Sequence, residues 1–497
     1  MPQGKAETGS KRVTAAQRWV LALASVASFL VILDMLVVAI ALTAIHRDLG
    51  SSLAGLEWTV NAYTLSFAVL LMTAAAIGDR LGRRRVFAAG LALFAVSSAA
   101  CALAPDAAAL IAARGVQGAG AAAIMPMALA LLNGAFPPGR RGWAIGIYGS
   151  VTGLAAVLGP VLGGAVTQGL GWRWIFWINV PVALAAVPLV LTRLQEARGP
   201  ASPGGRPGLA GRGIRVDLGG QVLVTAAALG LVWGLVRGND AGWGSAETVG
   251  TLAAGTAAAI GFAAWQRRAK APMLPPRLFA SRAFCAGNAT IFLLNGSLSA
   301  AVFLMPQFQQ VVLGQHPLSA GLRLLPWGIP PLLLAPRAGA LADRIGERLI
   351  VVAGLVLQAA GLAWIAAIAS PGTGYPALIT PMTITGVGFA IAIPAVTRAA
   401  TSNTPPADIG RASGAYATMR QLGGAFGIAI AGAAFAAVGG YFSREAFSDG
   451  FTAACAVCAA MAMAGAATAT ALPGRGNRQA PPAPAPVAAA SVARTDR

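Results

Sequence analysis

Charge is scarce in this chain: 10% of its 497 residues are charged, and only 16 of them are acidic. A soluble protein of this length needs a far more polar surface. Histidine is limited to His46 and His316, far apart in sequence, and cysteine to 4 residues, so neither a metal centre nor a disulfide framework is expected. Clustered catalytic acids, histidine ligand sets and a nucleotide-cradling loop are missing as well, which argues against an ATPase or a transferase. Cys455 and Cys458 are close in sequence but sit in an alanine-rich stretch without further ligands, and read as small apolar side chains.

What the chain has is apolar length. It is 57% hydrophobic with a mean hydropathy of +0.69, and fourteen apolar runs of about 20 residues read as membrane-crossing helices, from 19–45 to 447–472. The expected architecture is all-α and polytopic. A cytoplasmic segment, 1–18, leads into a six-helix bundle, 19–194. A Gly/Pro/Arg-rich cytoplasmic linker, 195–216, precedes two additional helices in 217–265 and a basic connection, 266–283. A second six-helix bundle, 284–472, ends in a Pro/Ala-rich tail, 473–497, expected to be disordered.

A net charge of +20 invites a nucleic-acid reading, which the placement of the basic residues removes. With the N-terminus inside, 29 of the 36 fall on the cytoplasmic side, 4 outside and 3 within helices. That is the positive-inside pattern, and it places the chain in the cell membrane with both termini cytoplasmic. The first run follows basic residues like a signal sequence, but it is too long for one and thirteen more follow.

One loop organises the pattern. Between two apolar runs, Gly78, Asp79, Arg80, Gly82, Arg83 and Arg84 compress charge and glycine into a turn that must lie in water at a membrane face. The Asp-Arg-x-Gly core returns 264 residues later as Asp343, Arg344 and Gly346, again between apolar runs. Two related halves are implied, an arrangement typical of secondary transporters.

Within the spans, Asp34 is the carboxylate that lies deep in an apolar run, so it must be protonated, paired or facing water. A carboxylate whose proton affinity follows its exposure is what a proton-driven carrier requires. Arg114 in the fourth span lies about 10 Å from the outer helix start and Asp34 about 16 Å from the outer end of the first, so the two charges fall at similar depth. Gln117 and Gly118 share the helical face of Arg114. Trp58 and Tyr63 read as interface-belt aromatics, and Asn61 with Tyr63 as side chains within reach of a substrate cavity. In the fifth span Gly149, Gly153, Gly159, Pro160, Gly163 and Gly164 mark a face along which another backbone approaches closely, with a bend at the proline.

These residues resemble the major facilitator superfamily, and within it the fourteen-helix drug:proton antiporters. The likeness covers about residues 19–472 and carries four motifs in order. The resemblance implies a cytoplasmic gating loop at Gly78–Arg84 with its echo at Asp343–Gly346, proton coupling through Asp34 and Arg114 with Gln117 and Gly118 in the same motif, and an antiporter motif at Gly149–Gly164. Ala75 replaces the usual leading glycine of the first loop and Glu347 a basic residue of the second. The tenth span has no acid of the kind associated with divalent cationic drugs. The implied activity is export of a small-molecule drug or antibiotic in exchange for protons, by a monomer in the lipid bilayer, with no cofactor beyond the proton motive force. A proton-coupled importer of a nutrient or metabolite is the alternative.

Overall fold

A computed structural model describes residues 13–196, 217–401, 404–405 and 408–474. Most of the linker and tail expected from the sequence lies outside the described residues. Every regular element among the described residues is helical. The first half runs α1 (Ala15–Leu49), α2 (Leu53–Leu81), α3 (Arg83–Ala102), α4 (Ala107–Ala135), α5 (Pro138–Gly169), α6 (Trp174–Trp177) and α7 (Asn179–Arg193). A hairpin follows, α8 (Leu218–Ala241) and α9 (Ala246–Arg268). The second half is α10 (Arg282–Val311), α11 (Pro317–Leu322), α12 (Leu325–Ile345), α13 (Glu347–Ile368), α14 (Tyr375–Thr401), α15 (Ile409–Val438) and α16 (Arg444–Ala469).

Thirteen spans among the described residues are long and apolar enough by themselves to cross a membrane, with α6 and α7 forming one. The fourteenth is the stretch 319–342, which the structure divides into α11 and α12. Proline accounts for both divisions: Pro181 has no amide to offer the Trp177 carbonyl, and Pro326 none for Leu322. The result is a pair of six-span bundles plus two helices.

The repeated loop has the same backbone in each half. Gly82 ends α2 at φ 108°, and Gly346 ends α12 at φ 97°. Each glycine is also the residue from which the next helix starts. A side chain at either φ would be strained, which is why Asp-Arg-x-Gly needs its glycine. We call the end of the molecule bearing these turns the Asp79 face and the opposite end the His46 face.

The two halves close on each other at the His46 face. A Cβ on Gly164 would overlap the Pro317 carbonyl oxygen and lie 2.7 Å from Leu318 Cα, and one on Gly321 would overlap the Pro160 carbonyl oxygen. Gln310 donates from Nε2 to the Ile40 carbonyl at 3.0 Å, joining α10 to α1. Toward the Asp79 face α5 loses its partner: Gly153 still approaches Leu332, but a Cβ on Gly149 or Gly146 would meet nothing within 4 Å. Among the described residues the face of α5 expected to be close-packed throughout is close-packed only over Gly159–Gly164, where Gly159 and Gly163 meet α1 and Gly164 meets α11.

The hairpin is more than a peripheral addition. On the first half, Trp58 and Trp233 have ring centroids 5.3 Å apart and Thr73 donates to Gln221 at 2.5 Å. On the second, Asn239 donates to the Ala433 carbonyl at 2.6 Å. It thus straddles the seam between α2 and α15. The connection after it is pinned by Arg277, which donates to both oxygens of Asp408 at 2.7 and 2.8 Å and holds that carboxyl below its ordinary range.

The glycine contacts make closure testable. Overpacking at Gly164→Val costs about 1–3 kcal/mol, which shifts the closed population roughly tenfold. A cysteine pair at Gln168 and Leu318, whose native residues are joined by a 3.2 Å hydrogen bond, should then cross-link severalfold more slowly. Unchanged cross-linking would contradict this packing.

Candidate functional site

The site is built around Asp34, which α1 carries into the interior of the first bundle with no solvent exposure. Both of its oxygens are engaged. Arg114 of α4 donates from Nη1 to Oδ2 at 2.5 Å. Gln117, one helical turn further along α4, donates to Oδ1 at 2.9 Å, and Asn179 of α7 donates to the same oxygen at 2.8 Å. The carboxyl is thus met by donors alone. The depth match read from the sequence thus becomes direct contact, and of the three options for a buried acid Asp34 takes pairing.

The supports have supports. Ser98 of α3 accepts from Gln117 at 3.3 Å and from Asn179 at 3.2 Å, and its hydroxyl donates to the Phe176 carbonyl at 2.9 Å. Gln117 Oε1 accepts from Arg114 at 2.7 Å, which fixes the amide so that its nitrogen faces Asp34. The Arg114 guanidinium also donates from Nε to the Thr59 carbonyl at 3.2 Å and lies 4.1 Å above the Tyr63 ring. Its Nη2 is buried without a hydrogen-bond partner. The cation therefore has three holds besides the carboxylate: a carbonyl, an amide oxygen and an aromatic face.

Asn179 and Ser98 escape the sequence reading. The one signal for Asn179 is its place just ahead of Pro181, where the sixth span divides. Tyr63 is a correction to the interface-belt reading: it is fully buried, donates to the Val31 carbonyl at 3.3 Å and sits beneath Arg114. Asn61 is fully buried too, and neither atom of its amide finds a partner. Gly118 permits the approach of α4 to α2, since a Cβ there would overlap the Tyr63 carbonyl oxygen and Ser66 Oγ.

The loop residues form a second cluster. Asp79 accepts from Arg83 Nε and Nη2 at 2.9 and 2.8 Å. Arg84 donates from its amide to Glu196 at 3.0 Å and from Nη1 to the carbonyls of Leu191 at 3.3 Å and Leu194 at 3.1 Å, while Arg85 lies 3.8 Å from Glu196. Gly78 faces the Met127 side chain, and Arg80 is exposed. All of these ties stay within the first half. In the second loop Arg344 is exposed, and the side chain of Asp343 lies outside the described residues. Glu347, the acidic departure from the motif, lies 3.9 Å from Arg398 of α14.

Breaking a buried pair by neutralising one member costs about 3–5 kcal/mol because the other charge is stranded. Asp34→Asn should lower the melting midpoint in detergent, and adding Arg114→Gln should restore most of the loss. A single variant that melts with the parent would contradict an ionised, paired Asp34.

The Major Facilitator Superfamily family model matches residues 24–428 and 289–496. The chain is 36% identical over 432 residues to the tetracenomycin C resistance and export protein of Streptomyces glaucescens, covering 87% of this chain and 78% of that one. It is 35% identical to the cephamycin export protein CmcT of Amycolatopsis lactamdurans, over 86% of this chain and 87% of that one. Among solved structures, an inward-facing bacterial homolog of the human lysosomal transporter Spinster aligns with a TM-score of 0.64 at 17% identity, covering 93% of this chain and 97% of that one. A D-xylose-proton symporter aligns with a TM-score of 0.64 at 15% identity over 92% and 98%. Two bundles related by a repeated Asp-Arg-x-Gly turn, closed at one face and parted at the other, together with these matches, establish that the chain belongs to the Major Facilitator Superfamily.

Proposed function

We propose that this chain is a proton-driven efflux transporter, exporting antibiotics or other lipophilic drugs across the cell membrane by alternating access. The observation that carries the coupling is the donor cage around Asp34: a titratable group, fully desolvated, with a cation that has other places to rest. Support for the direction and the cargo comes from relatives named as antibiotic export and resistance proteins that align with most of the chain. The distribution of basic residues supports a cytoplasmic Asp79 face with both termini inside.

In this reading the conformation described here opens to the cytoplasm with Asp34 ionised. A drug enters, the halves rock, and the His46 face opens. There Asp34 accepts a proton from outside as the drug leaves, and the Arg114 guanidinium rests on Tyr63, Gln117 and the Thr59 carbonyl. On return, the proton leaves to the cytoplasm and the cage re-forms. One proton moving inward down 100 mV releases about 2.3 kcal/mol, enough to sustain roughly a fiftyfold drug gradient. The Asp79 and Arg83 pair and the Glu196 contacts would be remade when the Asp79 face closes, so they set the balance between the two states. The transporter works as a monomer and uses no bound cofactor.

Inside-out vesicles test the proposal. Acidifying the lumen should drive accumulation of a transported drug, and adding that drug should collapse a preformed pH gradient. Asp34→Asn should abolish both responses while the protein remains folded. Drug-dependent proton movement undiminished in that variant would refute the coupling role, and accumulation only in right-side-out vesicles would indicate an importer.

A further inference from the structure

A second carboxylate is buried between the two halves. Glu57 lies inside α2, about 6 Å from the His46-face end of that helix, and is 2% exposed. Its Oε2 has no hydrogen-bond partner. The opposite helix makes room for it: a Cβ on Gly432 of α15 would overlap Glu57 Oε1. The carboxyl is thus pressed from the first half against the backbone of the second.

Among the described residues no cation forms an ion pair with Glu57. From α8 the charged group acting on it is Asp240, of the same sign, and Arg237 beside it is engaged with Asp240 at 3.7 Å and Glu247 at 3.1 Å. From the turn after α15 comes Tyr441, whose hydroxyl donates to Gln307 of α10 and whose own ionisation is pushed up by burial and then by Glu57. From α1, His46 lies with its ring centroid 4.9 Å from that of Tyr441, its Nδ1 at the Ser51 carbonyl. An ionised carboxylate in such surroundings is strongly disfavoured, and a neutral acid is tolerated.

We propose that Glu57 is a proton-binding site of the His46-face gate: neutral when the gate is closed, as here, and ionised when α2 and α15 part and admit outer water. Closure takes one proton from the outer solution onto the Glu57 carboxylate, and opening returns it to the same side. No proton crosses the membrane at Glu57; the site makes gate closure depend on outer pH, separately from the exchange at Asp34. The sign follows from the surroundings. The closed state binds the proton more tightly, so acid favours closure and the closed population is lost as pH rises, by up to about tenfold per pH unit for one proton. This rests on the alternating-access reading above.

The test uses the full chain in lipid nanodiscs with spin labels at Pro105 and Gly372, exposed positions in His46-face loops of the two halves. Asp34→Asn is introduced so that Asp34 does not titrate. Distances are measured by electron–electron resonance from acid to alkaline pH. The short-distance population should dominate in acid and give way to a longer one in base. Adding Glu57→Gln should hold the short distance across the range, and Glu57→Asp should preserve the pH dependence. Equal pH dependence in the Glu57→Gln variant and its parent would overturn the proposal but leave alternating access intact. Distances constant under every pH and with drug present would overturn both.

Discussion

A charge inside an apolar bundle has to be answered by other buried groups, and the first half of this molecule is arranged around that requirement. Asp34 and Arg114 would each be expensive alone. Together they still leave lone pairs and N–H groups unmet, and Gln117, Asn179, Ser98 and the Thr59 carbonyl take those up. Four helices and the sixth span are thereby committed to one geometry. The break ahead of Pro181, which would weaken an ordinary span, places the first residues of α7 against that geometry.

Closure of the two halves depends on a different material. At the His46 face the contacts are backbone against backbone, at Gly164 with Pro317 and at Gly321 with Pro160. Such contacts form in one arrangement and are lost when helices tilt, and the side-chain ties beside them, Gln310 to the Ile40 carbonyl and Gln168 to the Leu318 amide, are few. At the Asp79 face the connections are ionic and confined to each half, where they can be exchanged without unfolding anything. The molecule thus pairs one face where the halves fit by shape with another where the ionic contacts stay within each half. The α8 and α9 hairpin lies across the seam and touches both halves.

Much of this was legible in the sequence. Apolar length and the asymmetry of basic residues give the membrane class, and the repeated Asp-Arg-x-Gly gives the two halves, because φ near +100° at Gly82 and Gly346 has few chemical solutions. Asp34 and Arg114 stand out because charge is so rare in the spans. What the sequence hides is direction. Helical spacing cannot tell that Asp34 faces the interior of its own bundle rather than a passage, nor that Tyr63 turns from the interface to the guanidinium. Asn179 and Ser98 are uncharged, and nothing in their local pattern separates them from residues that simply satisfy a helix backbone. Glu57 looks like a helix-entry acid because its burial is created by α15, about 370 residues away in the chain.

The account stands on the claim that Asp34 changes its protonation with the face that is open. Infrared difference spectroscopy on protein locked by cross-links, once at the Asp79 face and once at the His46 face, reads that change directly, with Asp34→Asn assigning the band. The account predicts carboxylate absorption from Asp34 when the Asp79 face is open and a neutral carboxylic acid when the His46 face is open. The same form of Asp34 in both locked states would contradict it.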